Sequence, residues 1–206
     1  SQNFPAILNV WFGGSEAGDA ICDVLFGAKS PSGKLTVTMP KSVGQIPIYY
    51  SHLNTGRPLE EGKWFTKFRS NYLDIDNAPL YPFGYGLSYT TFSYGEPKLN
   101  SDHLSENGEI KVSVDVTNTG SYDADEVVQM YIRDLVGSVS RPVKELKGFQ
   151  RISLKRGETK TVTFTITPDD LKFYNQNLDY KFEPGDFDVM IGSSSDDIKT
   201  LRFTLD

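Results

Sequence analysis

The hydrophobic pattern of the first forty residues changes twice. Residues 5–12 form an almost unbroken apolar run, which is typical of a strand covered on both faces. Ser15 is then a good N-cap for a helix with one apolar face, and Gly27 is expected to end that helix. Residues 35–39 alternate between apolar and threonine side chains up to Pro40, which predicts a second strand. The order strand, helix, strand indicates part of an α/β sheet.

This α/β segment has too few layers to bury its own apolar side chains. A strand covered on both faces needs neighbouring strands and helices, and the segment contains only one helix. We therefore expect the chain to be the tail of a larger body. The alternative is that another subunit supplies the missing layer.

Residues 41–78 lose this periodicity. Prolines and glycines interrupt them, and the aromatic residues Trp64, Phe65 and Phe68 are interleaved with lysines and arginines. Loops this long are usually functional or lie over another domain.

Residues 80–92 predict a packed joint in the middle of the chain. Pro82 removes a backbone donor, and Gly84 and Gly86 allow positive φ, so a helix is excluded. Five aromatic rings in one short irregular segment are too much apolar surface to leave in water. An ordinary core segment is the alternative. We favour a joint that packs the preceding residues against the following ones, because the pattern of hydrophobic and polar residues differs between its two sides.

Beyond the joint, apolar and polar residues alternate with the period of a β-strand. Residues 110–116 show the pattern first, followed by a turn at 118–120. Further strands are expected near Pro97 and Leu146, and Thr167 is expected to cap a single helical turn. The other alternating segments are 128–132, 162–166, 187–191 and 201–205. Short strands separated by turns predict an antiparallel sandwich of immunoglobulin or fibronectin III type. The fold class is thus mixed, a partial α/β segment followed by an all-β sandwich.

Composition narrows the range of partners. The chain has 206 residues, 38% hydrophobic and 23% charged, which describes an ordinary soluble protein with one large or two modest domains. A net charge of -6 and a pI near 5.0 argue against nucleic acid or an anionic membrane as partner. No apolar run approaches the roughly 20 residues of a membrane-spanning helix. The single cysteine excludes an internal disulfide.

Carboxylates are the first candidates for chemistry, because glycoside hydrolysis uses two of them about 5 to 10 Å apart. The choices before the joint are Glu16, Asp19, Glu60, Glu61, Asp74 and Asp76. A glutamate at a helix start most simply complements the helix dipole, and the adjacent glutamates most simply face water. The two later aspartates, with Asn77, lack the glycine and the distal glutamate of a calcium loop. Spacing alone therefore assigns no catalytic, cofactor-binding or metal-binding residue.

The remaining candidates also have simpler explanations. Cys22 and His52 would need a third orienting group to act as a nucleophile pair, and a buried structural cysteine is the stronger interpretation. His103 is expected in a solvated polar turn. Asp196 and Asp197 are interpreted as a solvated hairpin tip. The glycine pair at 13–14 precedes a helix and is an anion-binding candidate, but acidic residues follow it and argue against that role.

Specific motifs over nearly the whole chain resemble glycoside hydrolase family 3, and most closely its bacterial β-glucosidases. Six segments resemble the second, α/β domain of that family: 11–18, 23–27, 30–35, 42–47, 49–50 and 54–58. Residues 81–92 resemble the family's passage into its fibronectin III-like domain, and 118–120, 128–131 and 141–149 continue the resemblance through the sandwich. The resemblance divides the chain into 1–90, the end of the α/β sandwich domain, and 91–206, the fibronectin III-like domain.

The resemblance implies a retaining enzyme whose catalytic residues lie elsewhere. Family members carry an aspartate nucleophile on an N-terminal (β/α)₈ barrel and, in the glucosidases, a glutamate acid/base upstream of the segment that matches residues 5–12. Glu16 matches a family glutamate that we do not interpret as the acid/base. No catalytic residue and no cofactor is therefore transferred to this chain.

Two function hypotheses follow. In the first, the chain is the C-terminal part of a β-glucosidase that releases terminal β-D-glucosyl groups, and it braces the active-site domain without being active alone. Its partners are the missing barrel and the rest of the α/β domain, residues 51–72 are a candidate border of the substrate entrance, and a periplasmic or secreted location is suggested. In the second, the chain is a free-standing carbohydrate- or protein-binding module, with Trp64, Phe65 and Phe68 as a sugar-stacking platform.

Overall fold

The computed structural model describes residues 3–60 and 63–206. The helical elements are α1 (Ala17–Leu25) and two 3₁₀ turns, Val43–Gln45 and Pro168–Leu171. The strands are β1 (Phe92–Tyr94), β2 (Lys98–Leu99), β3 (His103–Leu104), β4 (Ile110–Asn118), β5 (Ala124–Asp134), β6 (Glu145–Leu154), β7 (Thr159–Ile166), β8 (Phe173–Tyr174), β9 (Tyr180–Lys181), β10 (Gly185–Gly192) and β11 (Ile198–Leu205). Within the described residues, no helix is long and apolar enough to cross a membrane.

The strands after residue 91 form the predicted sandwich. One sheet has β4 at its centre, with β7 along one edge and β1 and β2 along the other. The second sheet has the order β3, β11, β10, β5, β6 and is antiparallel except for the β3–β11 pair. The five alternating segments and the strands expected near Pro97 and Leu146 are all present.

The sandwich encloses one continuous apolar core. Apolar residues of β4, β5, β7 and β10 point inward from both sheets, because the alternation puts every second side chain on the inner face. Val112, Val116, Val128 and Ile166 are all 0% exposed. Thr167 caps the turn that follows β7, as predicted: its N–H and its hydroxyl both donate to the Asp170 carboxylate, at 2.8 and 2.9 Å.

The first forty residues differ from the prediction. Residues 5–12 are exposed and form no strand, so that prediction is wrong for this structure. The helix forms, but its start is Ala17 with Glu16 at the N-cap, not Ser15, and none of its residues is buried. An apolar strand and helix without neighbouring layers have nothing to pair with or pack on.

The predicted strand at 35–39 is reduced to an isolated bridge between Met39 and Tyr81. The Leu35 N–H also donates to the Tyr85 carbonyl at 2.8 Å, and the Gly84 N–H donates to the Leu35 carbonyl at 2.7 Å. The joint therefore takes the place of a neighbouring strand for this segment. Two further predictions fail in whole or in part: Cys22 is exposed and not buried, and His103 is solvated as expected but lies in strand β3 and not in a turn.

Candidate functional site

The predicted carboxylates do not come together as a catalytic pair. Glu60 is exposed and lies 3.8 Å from Arg69. Asp76 receives two hydrogen bonds from Lys41, at 2.6 and 2.9 Å, and one from the Ala78 N–H. The carboxylates Glu16, Asp19 and Asp74 are exposed, and Glu61 lies outside the described residues.

The other sequence candidates also stay apart. His52 contacts the carbonyl of its own neighbour, Leu53, at 3.1 Å. Asp196 and Asp197 lie at the exposed turn between β10 and β11, as predicted, but Ser194 and Ser195 beside them are buried. Over residues 3–60 and 63–206, no group of three or more His, Cys, Asp or Glu side chains could hold a metal ion.

The structure concentrates its buried polar groups where the joint meets the sandwich. Gln129, on β5, donates from Nε2 to the Gly84 carbonyl at 3.1 Å and to the Ser193 carbonyl at 2.7 Å. The Tyr131 hydroxyl donates to Gln129 Oε1. Gly84 has φ +79, and a Cβ there would overlap the Gln129 amide. Gln129 thus links the joint, through Gly84, to β5 and to the residue that follows β10.

A buried ion pair forms a second attachment. Lys34 Nζ lies 2.9 Å from Glu126 Oε1, and the two side chains are only 12% and 5% exposed. The Tyr94 hydroxyl donates to the same carboxylate at 3.1 Å. Burial first, and the negative charge of Glu126 second, raise the pKa of Tyr94 far above its usual range, so the hydroxyl stays a donor. Buried charges are stable only when paired, so the α/β segment and the sandwich depend on each other here.

Aromatic rings form a third attachment, next to the long loop. Tyr50 stacks on Phe83 with ring centroids 4.3 Å apart, and its edge meets Tyr131 at 5.6 Å. Two residues after Tyr50, the His52 carbonyl accepts a hydrogen bond from the Val143 N–H at 2.9 Å. These contacts fix the start of the loop that spans 51–72 on the sandwich.

The segment of the sandwich that contacts this loop is itself held by a partly buried arginine, Arg141. Arg141 Nη2 donates to Glu145 at 2.7 Å, its Nε lies 3.7 Å from Asp134, and its guanidinium lies 4.2 Å from the centre of the Phe173 ring. Burial raises the pKa of the Asp134 carboxyl, and the Arg141 charge opposes this effect. Asn54 and residues 133–141 line a shallow groove of about 420 Å³ beside this cluster.

The long loop also carries exposed aromatic side chains. Trp64, Phe65 and Phe68 are all exposed, and Phe68 has a positive φ of 67. The Trp64 and Phe65 rings are 6.2 Å apart and tilted by 46°, and Lys67 Nζ lies 4.8 Å from the centre of the Phe68 ring. The rings are accessible but do not share one plane.

Two family models match this chain. A fibronectin type III-like domain matches residues 126–195, and a glycosyl hydrolase family 3 C-terminal domain matches residues 1–89. A periplasmic beta-glucosidase of Salmonella typhimurium is 54% identical over 204 residues, which are 99% of this chain and 26% of the relative. The chain belongs to glycoside hydrolase family 3. The resemblance and the mixed fold class predicted from the sequence are confirmed.

Further relatives extend the same picture. A beta-xylosidase of Formosa agariphila is 49% identical over 100% of this chain and 28% of its own length. A crystal structure of a beta-glucosidase from Listeria innocua in complex with gluconolactone has a TM-score of 0.89 and 44% identity, over 95% of this chain and 27% of that one. The chain therefore spans about a quarter of the length of the family 3 relatives that it matches. A division between residues 90 and 91 stays a prediction.

Sequence reasoning missed the polar groups that matter most in this family 3 segment. Glu126, Gln129 and Arg141 lie in or next to strands, where an alternating pattern predicts only which face is buried. In β5 the buried residues include Glu126 and Gln129 as well as Val128 and Met130, so both faces of this strand are covered, which the alternating pattern does not predict. Buried polar residues in a strand need partners, and the partners here come from the joint and from Lys34.

Proposed function

We propose that this chain is the C-terminal part of a retaining β-glucosidase that hydrolyses terminal β-D-glucosyl groups of oligosaccharides. In this role the fibronectin III-like sandwich braces the α/β domain, and catalytic carboxylates come from parts of the protein outside this chain. The support comes from the Salmonella and Listeria relatives, whose names are those of β-glucosidases.

The observation that carries the bracing role is that the two sides of the joint differ in how completely they bury their apolar residues. The sandwich buries its own core, whereas helix α1 buries no residue. Three attachments nevertheless hold the α/β segment on the sandwich: the Gln129 amide, the Lys34–Glu126 pair and the Tyr50 stack. A domain that binds its neighbour so specifically and leaves the neighbour's outer face free is suited to support a further layer.

A chimeric enzyme tests the proposal. This chain replaces the matching C-terminal quarter of the Salmonella periplasmic beta-glucosidase, and turnover of an aryl β-D-glucoside is measured. We expect hydrolysis within about tenfold of the parent enzyme, while the Salmonella protein truncated before this segment and this chain alone show none. A soluble, folded chimera without activity, or turnover by the chain alone, would contradict the proposal.

The same chimera addresses substrate class. The Formosa relative is named a beta-xylosidase, so an aryl β-D-xyloside is assayed in parallel. Because we propose that the catalytic carboxylates lie outside this chain, the ratio of glucoside to xyloside turnover should follow the Salmonella parent. A ratio that changes with the exchanged segment would assign part of the specificity to this chain.

A free-standing binding module is the second candidate. The observation that favours it is the exposure of Trp64, Phe65 and Phe68 on one loop. Calorimetric titration of the chain with oligosaccharides tests this candidate, and the Trp64→Ala variant should abolish binding if the loop is the platform. Binding by the chain together with an inactive chimera would favour the module over the enzyme part.

A further inference from the structure

The β8–β9 hairpin presents two tyrosines side by side on the surface of the sandwich. Tyr174 and Tyr180 are direct partners across the two strands, and their ring centroids are 4.9 Å apart with planes tilted by 41°. The rings are 65% and 58% exposed. Leu178, at the tip of the same hairpin, is 79% exposed. Packing of one ring on the other therefore leaves more than half of each tyrosine in solvent.

Hydrogen bonds within this hairpin hold its tip. Asn175 is buried, and its Oδ1 accepts from the N–H groups of Asn177 at 2.9 Å and Asp179 at 3.1 Å. The Asn175 N–H donates to the Asp179 carbonyl at 3.1 Å. Leu178 has a positive φ of 64, a conformation that costs free energy in a residue with a side chain. The tip is thus held in one shape by hydrogen bonds that outweigh this cost.

The base of the hairpin explains why the tyrosines point outward. Phe173, the residue before Tyr174, is buried against the guanidinium of Arg141 at 4.2 Å. Successive side chains of a strand point to opposite faces, so an inward Phe173 fixes Tyr174 outward. Exposure of the pair is set by this anchored register, and a preformed aromatic surface loses little entropy when a ligand binds.

The size of this surface favours a small ligand over a second copy of the chain. A large aromatic side chain has a total surface of about 150–250 Å², so the exposed parts of the two tyrosines amount to roughly 200–300 Å². A stable protein interface needs about 800 Å² from each partner. The area of the aromatic surface suits a small molecule or one face of an extended oligomeric ligand.

The charges around the surface favour a neutral ligand. Asp179 and Lys181, which flank Tyr180, lie 4.0 Å apart and cancel each other. The side-chain amides of Gln176 and Asn177 are exposed, and neither has a hydrogen bond among the residues that the structure describes. The aromatic faces can pack against the C–H groups of a sugar ring, and the amides and phenol hydroxyls can form hydrogen bonds with its O–H groups. This combination of groups matches a saccharide.

We propose that Tyr174 and Tyr180 form a saccharide-binding surface on the fibronectin III-like domain, separate from hydrolysis. The ligand class, a neutral oligosaccharide of β-linked glucosyl units, rests on the proposed function. The surface holds such a chain by stacking on the two rings and by hydrogen bonds to the neighbouring amides. It would keep a longer substrate on the protein.

Titration of the whole chain with cellotetraose, followed by NMR line shifts and by calorimetry, tests this proposal. We expect saturable binding that the double substitution Tyr174→Ala and Tyr180→Ala weakens at least tenfold. Replacement of both tyrosines by Phe keeps the rings and should weaken binding less than threefold. Tyr122→Ala removes an equally exposed tyrosine from another loop and should leave binding unchanged. Circular dichroism establishes that each variant is folded.

Three results would overturn the proposal: no binding by the folded chain, equal binding by the double Ala variant, or equal loss with Tyr122→Ala. Loss of binding in Trp64→Ala alone would assign the sugar to the long loop instead. The chimeric enzyme separates this proposal from the proposed function. With both tyrosines replaced by Ala, its turnover of a small aryl β-glucoside should stay within twofold, because the proposal assigns neither tyrosine to the hydrolytic site.

Discussion

The two halves of this chain contain similar amounts of apolar sequence but use them in opposite ways. After residue 91, alternating strands close a core whose central valines are fully buried. Before residue 80, apolar side chains such as Ile7, Leu25 and Phe26 remain exposed. Among the described residues of this first half, Gln45 is the one fully buried side chain. Hydrophobic content alone therefore does not make a core, because a second layer must be present to cover each face.

The difference also separates two kinds of stability. The sandwich depends on burial of apolar surface, whereas the α/β segment depends on a few polar and aromatic attachments to the sandwich. Gln45 illustrates the second kind. Its amide donates to the carbonyls of Asp76 and Ala78, at 3.0 and 3.1 Å, and accepts from the Lys41 N–H at 2.6 Å. Hydrogen bonds fix this loop where apolar packing is absent.

The largest expected effect comes from comparing equivalent truncations in the two halves. Phe187→Ala removes a ring that is 2% exposed and stacks on Phe203 at 5.5 Å. We expect it to lower the free energy of unfolding by about 3–5 kcal/mol, through lost burial and the cavity left behind. Leu25→Ala, at a position 61% exposed on α1, should change it by less than about 0.5 kcal/mol. Urea unfolding followed by fluorescence measures both.

A large cost for Leu25→Ala in the isolated chain would show that α1 packs on something within the chain. The comparison between the halves would then fail. In the chimeric enzyme the same substitution should be costly, about 2 kcal/mol or more, because there a further layer covers the helix. The thermal midpoint of the chimera, with and without Leu25→Ala, measures this second effect.

The accuracy of the predictions from sequence also differs between the two halves of the chain. Alternation in 110–116 and in the four later segments identified strands correctly, because each strand has its neighbours within the chain. The apolar run at 5–12 predicted a strand that is absent, because pairing partners are not available to it. The attachments through Glu126 and Gln129 were not predicted. They depend on three-dimensional contacts between residues that are 45 and 92 positions apart, which no local pattern encodes.

The buried ion pair gives the next prediction. Lys34→Met leaves the Glu126 carboxylate buried, with the Tyr94 hydroxyl as its one donor among the described residues. Because an unpaired buried charge is costly, we expect a loss of about 3 kcal/mol in the free energy of unfolding at pH 7. Limited proteolysis should then cut within residues 30–90 before the sandwich is cut.

The double variant Lys34→Met with Glu126→Gln tests the cause. It removes both charges, so we expect it to recover at least half of the stability lost by Lys34→Met. Recovery would attribute the loss to the unpaired carboxylate. Equal destabilisation by the single and double variants would instead attribute the loss to packing of the lysine side chain, and the attachment would be apolar in kind.

The smallest of these effects concerns the joint itself. Gly84 and Gly157 share a positive φ, +79 and +74, but only Gly84 has a neighbour within reach of a Cβ, the Gln129 amide. Gly157→Ala should therefore cost about 1 kcal/mol, from the backbone conformation alone. Gly84→Ala should cost about 2–3 kcal/mol, since it also displaces the amide from its two carbonyl partners. Equal costs in urea unfolding would mean that the joint tolerates a shift of Gln129, and the amide would then lose its role as the main link between the two halves.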